Sequence, residues 1–371
     1  MPKMKYEARK KMPVLKIGDL TADIPIVQGG MSVGISLSNL ASSVANEGGI
    51  GVIGAAGIGM LEPDFRSNFE EANKRALKRE IRKAKKRTNG IIGVNLMVAL
   101  SDFSNLARVA VEEGADLIFA GAGLPLKSLK AMMNTIKEVK TKFVPIVSSS
   151  RAAELIFNYW AKHYNEVPDA VVVEGPLAGG HLGFAKKQIN DKNYSLEKIL
   201  PEVLSAVRSF AKRFNKDIPV IAAGGIYTGA DIHKFMQLGA DGIQMATRFV
   251  GTDECDASDK FKEAYIKCKK EDIVIIDSPV GMPGRAIRNK FLEEVAMGKK
   301  QPFTCTYKCL KTCDYKKVPY CIALALTNAK KGFLENGFAF SGANAWRVNK
   351  IVSVKELFDS LIKEYQEAAA Q

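Results

Sequence analysis

Over the first 270 residues, eight apolar, β-branched runs alternate with eight longer amphipathic stretches, which predicts an α/β fold: a TIM (β/α)8 barrel with a C-terminal extension. Near-continuous apolar runs of this kind read as parallel strands covered by helices. Eight strand–helix units within about 250 residues match the usual size of a closed barrel. Glycine-rich turns also recur after several runs. The alternative, an open doubly wound sheet, would normally carry a single phosphate fingerprint after its first strand.

The predicted strands are 24–27, 50–54, 91–97, 116–120, 143–147, 169–173, 218–222 and 241–245. The predicted helices are 38–47, 64–86, 103–113, 126–140, 151–163, 196–214, 228–238 and 260–270. Turn chemistry agrees with this division. Gly48-Gly49, Gly114-Ala115-Asp116 and Gly239-Ala240-Asp241 each end a helix on glycine and enter the next strand at once. The last two share Gly-Ala-Asp before an apolar run, a hint of an internal repeat that is too short to establish one. Beyond residue 270 the alternation stops. A loop from Ser278 to Arg285, a cysteine-bearing segment, the stretch 338–347 and a final helix from Val354 to about Ala370 follow. The chain therefore divides into a barrel, 1–270, and an extension, 271–371, predicted to fold against the barrel near its mouth.

With 371 residues and 47% hydrophobic content, the chain can bury a full core. Its N-terminus is basic and lacks an apolar signal region, and no run of about eighteen apolar residues exists. A cytoplasmic protein with no membrane partner is the expectation. The net charge is +14, but much of it lies in 74–87 with Glu70, Glu71 and Glu80 close by, the pattern of a solvated helix face. No aromatic residues interleave with the basic ones as a nucleic-acid platform requires. The surplus charge fits attraction of an anionic substrate or cofactor better.

The six cysteines, in a chain of this size and compartment, read as thiols rather than a disulfide framework. Cys305, Cys309 and Cys313 are spaced by four, so on a helix they would share one face, and Cys321 follows. Four such thiols could ligate zinc or an iron–sulfur cluster. Paired C-x2-C knuckles are absent, so buried or free thiols are the favoured expectation and no metal site is assigned. His163 and His233 sit in helical stretches without companion ligands and read as surface or packing residues.

The stretch from Glu174 to Gly183, Glu-Gly-Pro-Leu-Ala-Gly-Gly-His-Leu-Gly, carries the strongest chemical signal. A strand ending in a carboxylate opens into a glycine-rich loop and then presents a histidine, one of only three in the chain. Loops on the carboxyl side of parallel strands are where barrel chemistry sits. Gly179 and Gly180 let a planar ligand approach the backbone, and the His181 imidazole can move a proton near neutral pH. Two further loops fit a phosphate. The seventh strand ends in Gly224-Gly225 and the eighth in Thr247-Arg248, where backbone N–H groups and a short helix start often bind one. Arg248 is expected either at that phosphate or on a carboxylate in the barrel wall. Gln28, Gly29, Gly30 and Met31 close the first strand, and Asn95 closes the third; their amides are placed to hydrogen-bond an isoalloxazine ring. Together these loops suit FMN.

On these segments the chain resembles the nitronate monooxygenase family, once called 2-nitropropane dioxygenases, and the related FMN-dependent enoyl-acyl-carrier-protein reductases. The matching residues are Pro25 to Met31, Gly93 to Leu96, Gly121 to Gly123, Glu174 with Ala178 to His181, Pro219 to Gly225 and Gly239 to Phe249. The resemblance implies a TIM barrel with non-covalent FMN. Its flavin contacts fall on Gly29, Gly30, Met31, Asn95, Ser148, Glu174, Gly179, Gly180, Gly224, Gly225, Gln244, Met245, Ala246 and Thr247, and its catalytic histidine on His181. Two departures stand out. Ala246 replaces the usual glycine before the threonine and is expected to crowd the phosphate. Pro176 and Leu177 replace an acidic residue and an alanine, so the substrate wall is expected to differ.

The resemblance implies oxidation of alkyl nitronates or nitroalkanes by O2 to a carbonyl compound and nitrite, with His181 as base or as the group that holds the nitro oxygens. It equally allows NAD(P)H-dependent reduction of an enoyl thioester, or of a quinone, on the same loops. The substrate is in each case a small molecule, and a homodimer is left open. A flavin- or metal-binding interaction protein, with the cysteine segment as its working part, is the reading without catalysis.

Overall fold

The computed structural model describes residues 12–133 and 139–371. A hairpin of β1 (Leu15–Ile17) and β2 (Leu20–Ala22) comes first and has no counterpart in the sequence prediction. The eight predicted strands follow: β3 (Ile26–Gln28), β4 (Gly51–Gly54), β5 (Ile92–Met97), β6 (Leu117–Gly121), β7 (Lys142–Val147) and β8 (Val171–Glu174). After the short β9 (Gly180–His181) come β10 (Val220–Ala223) and β11 (Gly242–Met245). They pair in parallel in the order β3-β11-β10-β8-β7-β6-β5-β4. A parallel bridge from Val27 to Ile50 joins the two ends, with the Gln28 N–H donating to Ile50 O and the Ile50 N–H to Ile26 O, each at 2.9 Å. The sheet is thus a (β/α)8 barrel.

Three aspartates explain why several strands begin later than the apolar runs suggest. Asp116, Asp169 and Asp241 stand just before β6, β8 and β11 and turn a carboxylate onto the strand laid down before. They accept the N–H of Ile92 (2.7 Å), Phe143 (2.7 Å) and Val220 (2.8 Å). The repeated Gly-Ala-Asp is therefore a strand-entry device that satisfies a backbone donor at the barrel's amino end. Inside the barrel, Val52, Phe119, Val144, Val172 and Ile221 form a core that Leu15 and Ile17 of the hairpin plug from below.

Seven of the eight predicted helices are present, with ends shifted by up to five residues. Of the predicted 126–140 helix, Leu129–Met132 is helical, and residues 134–138 lie outside the described ones. The basic helix Phe69–Arg87 carries its charge in ion pairs: Arg75 with Asp64 at 2.6 Å, Arg79 with Glu62 at 2.7 Å and Arg82 with Glu113 at 2.5 Å. Among the described residues no helix is long and apolar enough to cross a membrane.

The extension interlocks with the barrel. Strands β12 (Ile273–Asp277) and β13 (Pro283–Ile287) form an antiparallel pair, and β13 also pairs with β9. The C-terminal helix Val354–Ala369 buries Phe358, Leu361, Ile362 and Tyr365. It lies so close to the helix Gly229–Gln237 that a Cβ on Gly229 would stand 2.2 Å from Leu361 O. The cysteine segment is not helical. Cys305, Cys309 and Cys313 lie in irregular chain between the helices Lys290–Ala296 and Ile322–Lys330, with Lys308 in the left-handed region at φ 41°. A helix cannot pass through that conformation.

Candidate active site

Loops at the carboxyl ends of the barrel strands converge on one cavity of about 330 Å³ with a mostly apolar lining. From β3 come Gly29, Gly30 and Met31, and from β5 comes Asn95. Gly30 has no room for a side chain, since a Cβ there would stand 2.3 Å from the Asn95 Cβ. Gln28, expected beside them, is instead built into the barrel. Its fully buried amide donates to Gly29 O at 2.6 Å and accepts the Val52 N–H at 2.9 Å, tying β3 to β4. A buried amide with such partners at hand is committed to them. Ser148 also lies off the cavity wall: it packs beneath Gly183, whose Cβ position is 2.5 Å from the Ser148 Oγ.

Glu174 ends β8 and lines the cavity. Burial alone pushes its carboxyl up to about 7. After it, Gly179 packs against the backbone of Ser341 and Gly342, while Gly180, at φ 76°, faces open space. His181 lies on β9, opposite Gly284 of β13. Its Nε2 is 2.7 Å from Ser278 Oγ, and its ring meets Phe340 edge-on at 4.9 Å. Burial pulls the imidazole down to about 4, so the ring is neutral at physiological pH. Arg285 holds the loop itself. Its buried guanidinium donates to Pro176 O at 2.7 Å and to Ala178 O at 2.5 Å.

On the other side of the cavity, Gly224 and Gly225 both adopt left-handed backbone, at φ 94° and 86°. A side chain at 224 would strike Gly175 O at 2.7 Å. Among the described residues their N–H groups donate to no backbone carbonyl, which leaves a pair of donors for an anion. Gln244, Met245, Ala246 and Thr247 line the adjacent wall. The Ala246 methyl points towards Gly29, 3.3 Å from the position of a Cβ there. Thr247 Oγ1 accepts the Gly342 N–H at 3.3 Å, so its own proton is available to a ligand. Next to it the buried Ser341 Oγ has no hydrogen-bond partner although it borders the cavity. Arg248 reaches neither an anion site nor a carboxylate. It stacks on the Tyr227 ring at 4.5 Å and donates to Tyr227 O at 3.1 Å.

The sequence reading therefore assembled most of this wall but missed Ser278, Arg285, Phe340 and Ser341, all from the extension. Their only advance signal was the glycine- and proline-dense loop 278–285 and the stretch 338–347, which carried no recognisable chemistry. Leu177, singled out as a departure, lines the cavity and is 46% exposed.

The family model described as nitronate monooxygenase matches residues 15–364. A probable nitronate monooxygenase of Staphylococcus aureus is 27% identical over 302 residues, covering 75% of this chain and 79% of that protein. The (3aS,4S,5R,7aS)-5-hydroxy-7a-methyl-1-oxo-octahydro-1H-indene-4-carboxyl-CoA dehydrogenase of Mycobacterium tuberculosis is 27% identical over 276 residues; the match spans 74% of this chain and 66%, just under two thirds, of that protein. Among solved structures, FabK from Thermotoga maritima superposes with a TM-score of 0.71 at 27% identity, over 94% of both chains. Nitroalkane oxidase from Streptomyces ansochromogenes gives the same TM-score at 22% identity, over 94% of this chain and 97% of that one, and bears on the fold alone.

Proposed function

Because the chain belongs to the nitronate monooxygenase family, whose members are flavin-dependent oxidoreductases, we propose that it holds FMN at the barrel rim and oxidises alkyl nitronates there with O2 to a carbonyl compound and nitrite. The residues present fit that cofactor. The paired N–H groups of Gly224 and Gly225, the Thr247 hydroxyl and the orphaned Ser341 hydroxyl suit a phosphate. The glycine floor at Gly29, Gly30, Gly179 and Gly180, with Asn95, Gln244 and Glu174 around it, suits a flat polar ring and a polyol chain. When bound, FMN supplies the electron-accepting chemistry that no side chain of this cavity provides.

The single observation carrying the mechanism is the contact between His181 Nε2 and Ser278 Oγ. Ser278 Oγ also receives the Val280 N–H at 3.5 Å, and its own proton can go to the imidazole. A neutral His181 that accepts at Nε2 carries its proton on Nδ1. In that tautomer it offers a hydrogen-bond donor to a negatively charged oxygen, which suits an anionic nitronate. Arg285 and β13 keep the loop that carries this donor in place, and Phe340 restricts the ring.

A second reading, NAD(P)H-dependent reduction of an enoyl thioester, is favoured by the likeness to FabK over 94% of both chains. The apolar lining suits an acyl chain, and the His181 Nδ1–H would hold the thioester carbonyl oxygen. Oxygen uptake with propyl-2-nitronate, measured beside NADH and NADPH oxidation with a crotonyl thioester, separates the two. Uptake driven by nitronate alone supports the first reading. Rapid pyridine-nucleotide oxidation that requires the enoyl acceptor overturns it in favour of the second.

A further inference from the structure

The segment between the helices Lys290–Ala296 and Ile322–Lys330 has almost no regular structure, yet it is fixed to the barrel rim at several points. Leu310 bridges Leu100, and the N–H groups of Ser101 and Lys311 donate to Cys309 O (3.1 Å) and Ala99 O (3.0 Å). Tyr307 stacks on Phe69 with ring centroids 4.6 Å apart, and Thr306 Oγ1 donates to Arg66 O at 2.9 Å. Chain of this kind, without a core of its own, normally needs some other organiser.

What the segment gathers is four thiols. Cys309 lines the cavity beside Leu310. Cys305 Sγ receives the Lys308 N–H at 3.3 Å, an arrangement made by the left-handed turn at Lys308, where a lysine is strained. Cys321 Sγ, at the start of the next helix, is 3.6 Å from the Tyr307 hydroxyl. Cys309 lies within electrostatic reach of Cys305, Cys313 and Cys321. The Cys313 N–H donates to Leu310 O at 3.4 Å, closing a second turn, so one short loop carries Cys305, Cys309 and Cys313.

We propose that Cys305, Cys309, Cys313 and Cys321 bind a four-iron, four-sulfide cluster at the rim of the cavity. This cofactor and zinc place different demands on the spacing of the four sulfurs, and the metal content distinguishes them. Among the described residues no group of three or more His, Cys, Asp or Glu side chains is set to hold a single metal ion. Four thiolates around one zinc stand about 3.8 Å apart, as tetrahedral Zn–S bonds of 2.3 Å require. A cubane takes one thiolate at each of four separate irons, so its ligands stand several ångströms further apart than those of a single zinc. The spacing C-x3-C-x3-C-x7-C places three ligands on one turning loop and the fourth on a helix start. The Lys308 N–H already points at one sulfur, as backbone amides do at cluster thiolates. Binding releases the four thiol protons, and the ligated cluster carries a net negative charge that Lys308, Lys311, Lys316 and Lys317 of the same segment offset in part.

The inference goes beyond either reading of the reaction and does not rest on the flavin. Its test is iron, acid-labile sulfide and zinc content of the full chain purified without oxygen, with electron paramagnetic resonance after dithionite reduction. About four irons and four sulfides per chain are expected, with a reduced-cluster signal. Cys309→Ser and Cys313→Ser are expected to lose at least half of that iron, while Cys268→Ser, outside the group, keeps it. Circular dichroism melts of the variants show that the barrel remains folded. Stoichiometric zinc, iron-free protein after anaerobic reconstitution with ferrous iron and sulfide, or unchanged iron in the cysteine variants would each overturn the proposal. Flavin is quantified separately after acid release. Iron without flavin defeats the FMN reading alone, and flavin without iron defeats the cluster alone.

Discussion

Glu174 and His181 line one cavity and respond to burial in opposite directions. The unfolded chain loses its Glu174 proton in the ordinary carboxylate range, whereas the folded chain keeps it to about 7. Across that window the folded state binds more protons, so its stability falls as pH rises through about 7. For His181 the folded value is about 4 against 6.5 unfolded. Between these values the unfolded chain binds more protons, so stability rises with pH and is fully present above 6.5. The two slopes oppose each other in acid, and only the Glu174 slope remains near neutrality. Thermal melts of flavin-free protein are therefore expected to show a midpoint that declines from pH 6.5 to 8, and Glu174→Gln should abolish the decline. The same decline in the variant would mean that Glu174 is not its source. Ser341 invites a second measurement. Its buried hydroxyl has no partner and stands beside Thr247 and Gly342, so Ser341→Ala removes a donor only a ligand can use. FMN affinity, read from quenching of flavin fluorescence, is expected to fall about three- to tenfold, equivalent to about 1 kcal/mol. An unchanged dissociation constant would place the phosphate elsewhere.

At the scale of elements, the loop that carries His181 depends on a strand more than a hundred positions further along the chain. β9 contains two residues and, among the described residues, pairs only with β13, which supplies Arg285 to the carbonyls of Pro176 and Ala178. Arg285→Met would leave both carbonyls without their donor in a buried site, at a cost of about 2–4 kcal/mol. Urea denaturation should show that loss, and amide exchange should quicken over residues 176–183. Exchange confined to its original rate would show that the loop is held by other contacts. The same dependence explains what the sequence concealed. The eight barrel strands were readable because each is a buried apolar run of its own, most of them bounded by a glycine or an aspartate. Asp116, Asp169 and Asp241 moved the boundaries without hiding the strands. Pairing of β9 with β13 has no local signature, and Ser278, Phe340 and Ser341 become site residues only through it. The path of the cysteine segment was not legible for a related reason. Cysteines spaced by four would share a face on a helix, but the segment carries no apolar stripe to stabilise one, and its contacts with Phe69, Leu100 and Arg66 impose an irregular path.

For the whole molecule, the net charge of +14 and the chemistry of the cavity act at different distances. No lysine or arginine borders the cavity among the described residues, and the basic helix Phe69–Arg87 spends much of its charge on Glu62, Asp64 and Glu113. The remaining positive charge therefore cannot hold a substrate by contact; it can only raise the rate at which an anion arrives. Such steering decays with screening, whose length shortens from about 10 Å at 0.1 M salt to about 3 Å at 1 M. Contacts inside the cavity, including the His181 donor, lie well within the shorter length and are screened far less. For propyl-2-nitronate, which is anionic, kcat/KM is expected to fall several-fold across that range of sodium chloride while kcat stays nearly constant. A neutral nitroalkane or a short uncharged enoyl thioester should change less than about twofold, because it gains nothing from the long-range field. Stopped-flow rates at matched viscosity would separate arrival from chemistry. Equal salt dependence for charged and neutral substrates would show that the surplus charge serves some other purpose than delivering the anion to the barrel rim.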